Sequence, residues 1–331
     1  MKTNAWDFGK LIGVASQYWY TCTLHAGVKL GVFSVLGAGD NDAAGVAGEI
    51  GADAGATGRL LDALCAMGLL EKSGERYRNS PAAGRFLVRD SDDYCGHIIM
   101  HHHHLVKDWA RLDEAVVSGR PVESGGGDEE VERESFLMGM FNLARGQAPT
   151  VAEGVNLDGR RHLLDLGGGP GTYAIHFCLA NPELAATIAD RETTRPFAEA
   201  TVARYGLSER IDFLSADFNH DDIGGPYDAV WMSHIIHSND EATCRRLIKK
   251  AAATLQAGGL LLIHDFFLND DMASPLFPAV FSLNMLLNNP GRSYSAAEVA
   301  GMMEEAGVGG VRRLPFQAPN DSYILCGVRE A

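Results

Sequence analysis

The chain has 331 residues, 46% of them hydrophobic, more apolar material than one ordinary core requires, and two domains are the expectation. Its 28 Lys and Arg stand against 43 Asp and Glu, and the net charge of -15 repels phosphate backbones and anionic lipid, which argues against nucleic-acid and membrane partners. No charged-then-apolar leader is legible and no apolar run approaches the roughly 18 residues that span a bilayer, so the expectation is a cytoplasmic protein.

From Trp6 to Leu36 apolar residues recur at helical spacing, with Gly37 and Gly39 ending the pattern. A short helix from Ala43 to Ile50, a second from Thr57 to Met67 and a hairpin signal at Lys72 to Tyr77 follow, which is a winged-helix order. Such a unit can read DNA, but the second helix, TGRLLDALCAMG, carries one Arg and one Asp among apolar residues. Residues 1–100 hold 9 basic and 11 acidic side chains, and burial against a second copy of the chain accounts better for an apolar, weakly charged face than a ligand-sensing regulator does.

The run His101 to His104 places His97, His101, His104 and Asp108 on one face if the segment is helical, a spacing that metal ligands can use. A polar helix lining an acceptor cavity, or a solvated face, accounts for it without a metal, and no metal is expected. The acidic, glycine-rich stretch Glu123 to Glu134 reads as a solvated loop between domains. Six cysteines without CxxC spacing read as reduced thiols.

The carboxy-terminal half alternates short apolar runs with helical patterns. His162 to Leu166 enters GGGPG and then a helix to Ala180, a strand, glycine turn and helix in which missing Cβ atoms open the strand end to a ligand. The sixth position of a dinucleotide fingerprint is Thr172 rather than glycine, which disfavours NAD. A second strand, Ala185 to Ala189, ends at Asp190, about 20 residues past the glycines, where a carboxylate can accept both ribose hydroxyls.

Ile211 to Ser215 forms a third strand that delivers Asp217 and Phe218, a carboxylate and an aromatic face for an adenine. Tyr227 to Met232 is a fourth, leading to Ser233, His234 and His237 before a helix from Asp240 to Leu255. Leu260 to Ile263 is a fifth, presenting His264 and Asp265. An amphipathic helix from Ser295 to Ala306 and an antiparallel pair, Val311 to Pro315 with Tyr323 to Val328, close the domain.

With LLDLGGGPG, Asp190 at a strand end, ADF at 216–218, WMSHIIH at 231–237, IHDFF at 263–267, NNPGRSYSAAE at 288–298 and the Tyr77, Asn79, Ser80, Pro81 sequence in hand, the chain resembles the small-molecule O-methyltransferases related to caffeic acid and acetylserotonin O-methyltransferases, in their bacterial branch. The likeness covers nearly the whole chain. It implies an α/β fold, a Rossmann-like class I methyltransferase sheet behind a mostly helical winged-helix dimerisation domain, divided as 1–122, a linker and connecting helix over 123–150, and a catalytic domain over 151–331.

The resemblance further implies S-adenosyl-L-methionine held by Gly167, Gly169, Asp190, Arg191, Asp217, Phe218 and Ser233, a homodimer, and a hydroxylated aromatic or polycyclic acceptor near Met140 and Asn288; His104, on the polar helix, and His234, with a lining or a core role, are further candidates for the acceptor cavity. His237 matches the family's base and Asp265 the carboxylate that orients it; an imidazole of pKa about 6.5 can take the proton of a hydroxyl that is a poor nucleophile at neutral pH. Two departures stand out: Ser293 occupies the place of a second carboxylate, and Ser233 that of a common Lys or Arg. They leave methylation at nitrogen or carbon, or a decarboxylase-like use of the same fold, as alternatives.

Overall fold

A computed structural model describes residues 6–122 and 128–330. The chain divides into two compact units, one of residues 1–105 and 128–142, the other of residues 106–127 and 143–331.

In the first unit, helices Phe8–Ser16, Tyr18–Lys29 and Val32–Leu36 precede a strand, β1 (Asp40–Asp42), and helices Ala43–Ile50 and Ala54–Ala66. The last begins before Thr57 because Asp53 caps it, its carboxylate accepting from the Ala56 amide at 2.8 Å. A hairpin of β2 (Leu70–Ser73) and β3 (Arg76–Asn79) follows, and β3 also pairs with β1. The Tyr77, Asn79, Ser80 sequence is structural: Asn79 donates to the carbonyls of Phe33 and Gly37, Tyr77 to Asp62, and Ser80 caps helix Pro81–Phe86. Val32, Phe33, Leu61 and Leu64 form the fully buried centre of this unit. Helix Phe8–Ser16 buries none of its residues, and Trp6, Phe8, Leu11, Ile12 and Trp19 are more than half exposed.

The four consecutive histidines lie in helix Gly96–Trp109. His101 packs edge-on against Phe136, and His97 against Tyr94. Of the stretch expected to be a loop, residues 123–127 lie outside the described part; the remainder corrects the expectation, since Glu129–Arg145 is a helix. Asp128 starts it by accepting the Glu130 and Val131 amides, and Glu129, Glu130 and Glu132 suit the positive end of the helix.

In the second unit, seven strands among the described residues form one sheet: β4 (His162–Leu166), β5 (Ala185–Asp190), β6 (Ile211–Ser215), β7 (Tyr227–Ser233), β8 (Leu255–Phe266), β9 (Val308–Gln317) and β10 (Ser322–Arg329). Their order is β6-β5-β4-β7-β8-β10-β9, parallel except at β10, which is antiparallel to both neighbours. Strands buried on both faces need continuous apolar runs, because successive side chains point to opposite sides. Accordingly Leu163, Ala229, Trp231 and Leu262 join one core, with helices Ala148–Gly154 and Thr172–Ala180. Leu164, Val230, Met232, Leu261 and Ile263 join the other, with helices Glu241–Ala253 and Ala296–Glu305. Each fully buried Leu or Ile contributes roughly 1.5–3 kcal/mol relative to exposure. Leu255, expected to end a helix, instead begins β8 beside Tyr227.

Candidate functional site

The chain runs outward from β4 to β6, then returns to β7 on the other side of β4, so the carboxyl ends of β4 and β7 flank a switch point where open α/β sheets leave a crevice. Gly167, Gly169, Asp190, Arg191, Asp217, Phe218, Ser233, His234, His237 and Asp265 lie at or just past the carboxyl ends of the sheet's parallel strands, which form one rim of it.

At the end of β4 the turn is left-handed at Gly167, Gly169 and Gly171, with φ of 70°, 54° and 77°. A Cβ on Gly167 would overlap Ile235 and lie 3.4 Å from the ring of Phe218, so this glycine lets three segments close on one another. The Gly169 amide donates to Asp190 Oδ2 at 2.9 Å, which ties the tip of β5 to the turn. The other oxygen of Asp190 accepts from the Arg191 amide and the Thr194 hydroxyl, while Arg191 itself is exposed. Asp217 holds its own loop by accepting the Asn219 amide, and Lys250 donates to the Phe218 carbonyl from below.

Beneath the turn lies a carboxylate that sequence reasoning passed over. Asp165 is 1% exposed; one oxygen accepts the Ala174 amide at 3.1 Å and the other has no partner. A Cβ on Gly168 would come within 2.6 Å of its carboxyl carbon. Burial pushes its pKa up to about 7, with the Asp190 charge adding to the shift against the Ala174 hydrogen bond. An acid inside the apolar run HLLDL was the available signal.

Two strands further along, the His237 ring donates from Nδ1 to Asp265 Oδ1 at 2.6 Å, and its backbone amide reaches Asp265 Oδ2 at 3.3 Å. Asp265 also accepts the Phe266 amide at 2.8 Å. Burial raises this carboxyl, but the neighbouring imidazoles and that amide outweigh it and hold the pKa at about 2, so the carboxylate stays ionised. The imidazole is stacked on Phe266 and met edge-on by Phe281, whose ring is stacked in turn on Phe277. Helix Leu276–Asn288 brings the last two, four residues apart, a contribution that the sequence reading missed.

The remaining expectations divide. His234 lies beside His237, ring centres 6.1 Å apart. Ser233 stands between two imidazoles, His234 and His264. Ser293, in place of a second carboxylate, is buried and donates to the Pro278 carbonyl at 2.8 Å. Asn288 is exposed and its amide is spent on the Asn284 carbonyl one turn back. Met140 and His104 belong to the first unit, on helices Glu129–Arg145 and Gly96–Trp109. Gly139 next to Met140 brings the backbones of those two helices together at Ile98.

A family model for the O-methyltransferase domain matches residues 109–309, and one for the O-methyltransferase dimerisation domain matches residues 12–89. The chain belongs to the O-methyltransferase family. Among its relatives, the 3-hydroxy-5-methyl-1-naphthoate 3-O-methyltransferase of Streptomyces sahachiroi is 34% identical over 96% of this chain and 94% of its own. The structure of an O-methyltransferase family protein from Burkholderia thailandensis superposes with a TM-score of 0.88 at 30% identity, covering 99% of both chains. Human N-acetylserotonin methyltransferase, solved in complex with SAM, shares the fold with a TM-score of 0.86 at 23% identity over the whole of both chains.

As an S-adenosylmethionine-dependent O-methyltransferase, the chain needs a site for an adenosyl group and a charged sulfur, and this rim is a candidate for it. The residues present fit that demand. The unpartnered Asp165 oxygen and the Asp190 carboxylate supply polar oxygens on either side of a turn that carries no Cβ at Gly167, Gly168 and Gly169. The ring of Phe218 supplies a flat apolar face next to it.

Proposed function

We propose that this O-methyltransferase methylates a hydroxyl of an aromatic, fused-ring acceptor, with His237 as the general base and Asp265 as its orienting partner. The observation that carries the reading is the His237–Asp265 pair set among Phe266, Phe277 and Phe281, on the same rim as the glycine turn. A naphthoate as the substrate of a 34% identical relative supports the acceptor class.

The chemistry divides simply. S-adenosylmethionine, when bound, supplies a methyl group on a positively charged sulfur that is already a good leaving group. Gly167, Gly169, Asp190, Asp217 and Phe218 hold it, and the chain's other task is to make the acceptor oxygen nucleophilic. Because Asp265 accepts a hydrogen bond from Nδ1–H, the lone pair of His237 is on Nε2, and this nitrogen removes the hydroxyl proton. The imidazolium that results is balanced by the ionised Asp265. The three phenylalanine rings exclude water from the oxygen and give an aromatic acceptor a surface to lie on.

The chain acts as a homodimer in this reading, supported by the apolar side chains that helices Phe8–Ser16 and Tyr18–Lys29 leave exposed and by the dimerisation-domain match.

His237→Ala is the test. Its kcat is expected to fall roughly 10²–10⁴-fold, while calorimetry shows S-adenosylhomocysteine binding within about twofold of wild type. Turnover at the wild-type rate removes the base assignment.

A further inference from the structure

Behind the His237–Asp265 pair runs a second line of polar side chains that proton removal by His237 does not use. His234 Nδ1 lies 2.9 Å from Ser233 Oγ, and the same oxygen is 3.1 Å from His264 Nδ1. His264 Nε2 is 3.0 Å from Ser322 Oγ, whose hydroxyl donates to Asn320 Oδ1 at 3.0 Å. The Ser322 backbone amide donates to that same atom at 3.4 Å. All five residues belong to the second unit, and His264 and Ser322 are fully buried.

The far end of this line sets its direction. Two donors from Ser322 converge on one atom of Asn320, which is therefore the carbonyl oxygen and can only accept. Ser322 gives its single hydroxyl proton to that oxygen, so its Oγ accepts from His264 Nε2–H. A neutral His264 then carries its lone pair on Nδ1 and accepts a hydrogen bond from the Ser233 hydroxyl. With that proton committed, Ser233 Oγ accepts from His234 Nδ1–H, and His234 is left with an unprotonated Nε2. Burial lowers the pKa of His234 to about 4 and that of His264 well below its ordinary value, so both rings are neutral near pH 7.

His234 is also one of the few non-glycine residues with a left-handed backbone, at φ 58°. Strain of this kind, of order 1–3 kcal/mol, persists where surrounding contacts over-determine it, often at ligand clamps. The amide of His234 donates to the His264 carbonyl at 2.7 Å, and its ring packs on Phe266 in a residue that is half-buried as a whole.

We infer that the Asn320, Ser322, His264, Ser233 relay holds His234 as a fixed hydrogen-bond acceptor for the methyl acceptor, selecting aromatic compounds with a second hydroxyl beside the one that His237 deprotonates. The inference rests on the His237 reading. Ring centres 6.1 Å apart suit two hydroxyls on adjacent carbons of one ring, one for each imidazole. A compound with one hydroxyl leaves the His234 lone pair facing carbon, and a buried acceptor deprived of its donor is costly.

Nitrogen-15 NMR of histidine-labelled protein reads the tautomers directly, with His234→Gln and His264→Gln used for assignment. The expected pattern near pH 7 is a protonated Nδ1 on His234 and a protonated Nε2 on His264, and Ser322→Ala mixes the tautomers of both. A protonated Nε2 on His234 in the unaltered protein overturns the inference. In turnover, kcat/KM for naphthalene-2,3-diol is expected to exceed that for 2-naphthol by about tenfold or more, and His234→Phe to bring the ratio toward the statistical value of about two. A ratio unchanged by that substitution also overturns it. Undiminished turnover in His237→Ala removes the base assignment alone and leaves the tautomer pattern as it is.

Discussion

The proposed role of His237 as a base needs its tautomer held, and one carboxylate is placed to do this. Asp265 accepts from the ring and from the backbone amide of His237, so ring and chain are oriented together. Asp265→Asn replaces an obligate acceptor with a group that can also donate. Its kcat is expected to fall roughly 10²-fold or more, with S-adenosylhomocysteine affinity by calorimetry close to wild type. A loss smaller than about threefold would mean that the phenylalanine rings alone orient the imidazole. At this scale His237 and Asp265 were legible, because a polar residue just past an apolar strand in an open α/β sheet has few places to go except the crevice. Phe277 and Phe281 were not, since their helix looks like any apolar helix until its packing is known. For Asn288 the sequence does not tell a binding amide from one that, as here, donates to the last turn of its own helix.

Among elements, the segment before helix Ala296–Glu305 packs against the turn that carries His237, the proposed base. Ser295 and Glu298 form a capping box that starts the helix, and the Tyr294 hydroxyl donates to the Asn239 carbonyl at 2.7 Å. Gly291 passes so close that a Cβ on it would overlap the His237 carbonyl and come within 2.7 Å of the Asn239 amide nitrogen. These are backbone atoms of the turn that carries His237 and cannot rotate away. Gly291→Ala is expected to cost about 1–3 kcal/mol, read as a lower Tm, and to lower kcat by displacing His237; unchanged Tm and kcat would show that the loop yields instead. The elements themselves were largely readable, since apolar runs between glycine turns leave little choice but buried parallel strands. Their ends were not always. Ala54–Ala66 begins at an Asp cap, and Leu255 joins a strand because Tyr227 is there to pair with it.

For the molecule as a whole, buried titratable groups set the response to acid. Burial depresses the pKa values of His25, His101 and His234 to about 4, and that of His264 well below its ordinary value. Between pH 6.5 and 4 the unfolded chain therefore takes up protons that the native one refuses, so these groups favour the fold fully above pH 6.5 and less as pH falls through that window. Asp165, raised to about 7, acts in the opposite sense over pH 7 to 4, but it is one group against four. Asp265 adds a loss of its own from about pH 4 down to 2. Tm measured by calorimetry is expected to be a few degrees lower at pH 5 than at pH 7, and a flat or rising Tm would contradict the balance.

The order of residues by itself determined the parallel sheet, the glycine turn and the carboxylates at the strand tips, because strand periodicity and left-handed glycine are local properties of the chain. Only the tertiary structure decided which polar groups meet. Asp265 reaches His237 across 28 residues and Ser322 reaches His264 across 58, through strand pairings that bring distant segments side by side. Hydrogen-bond direction at the rim follows from those pairings, since each buried donor must find its acceptor among neighbours that the linear sequence does not name.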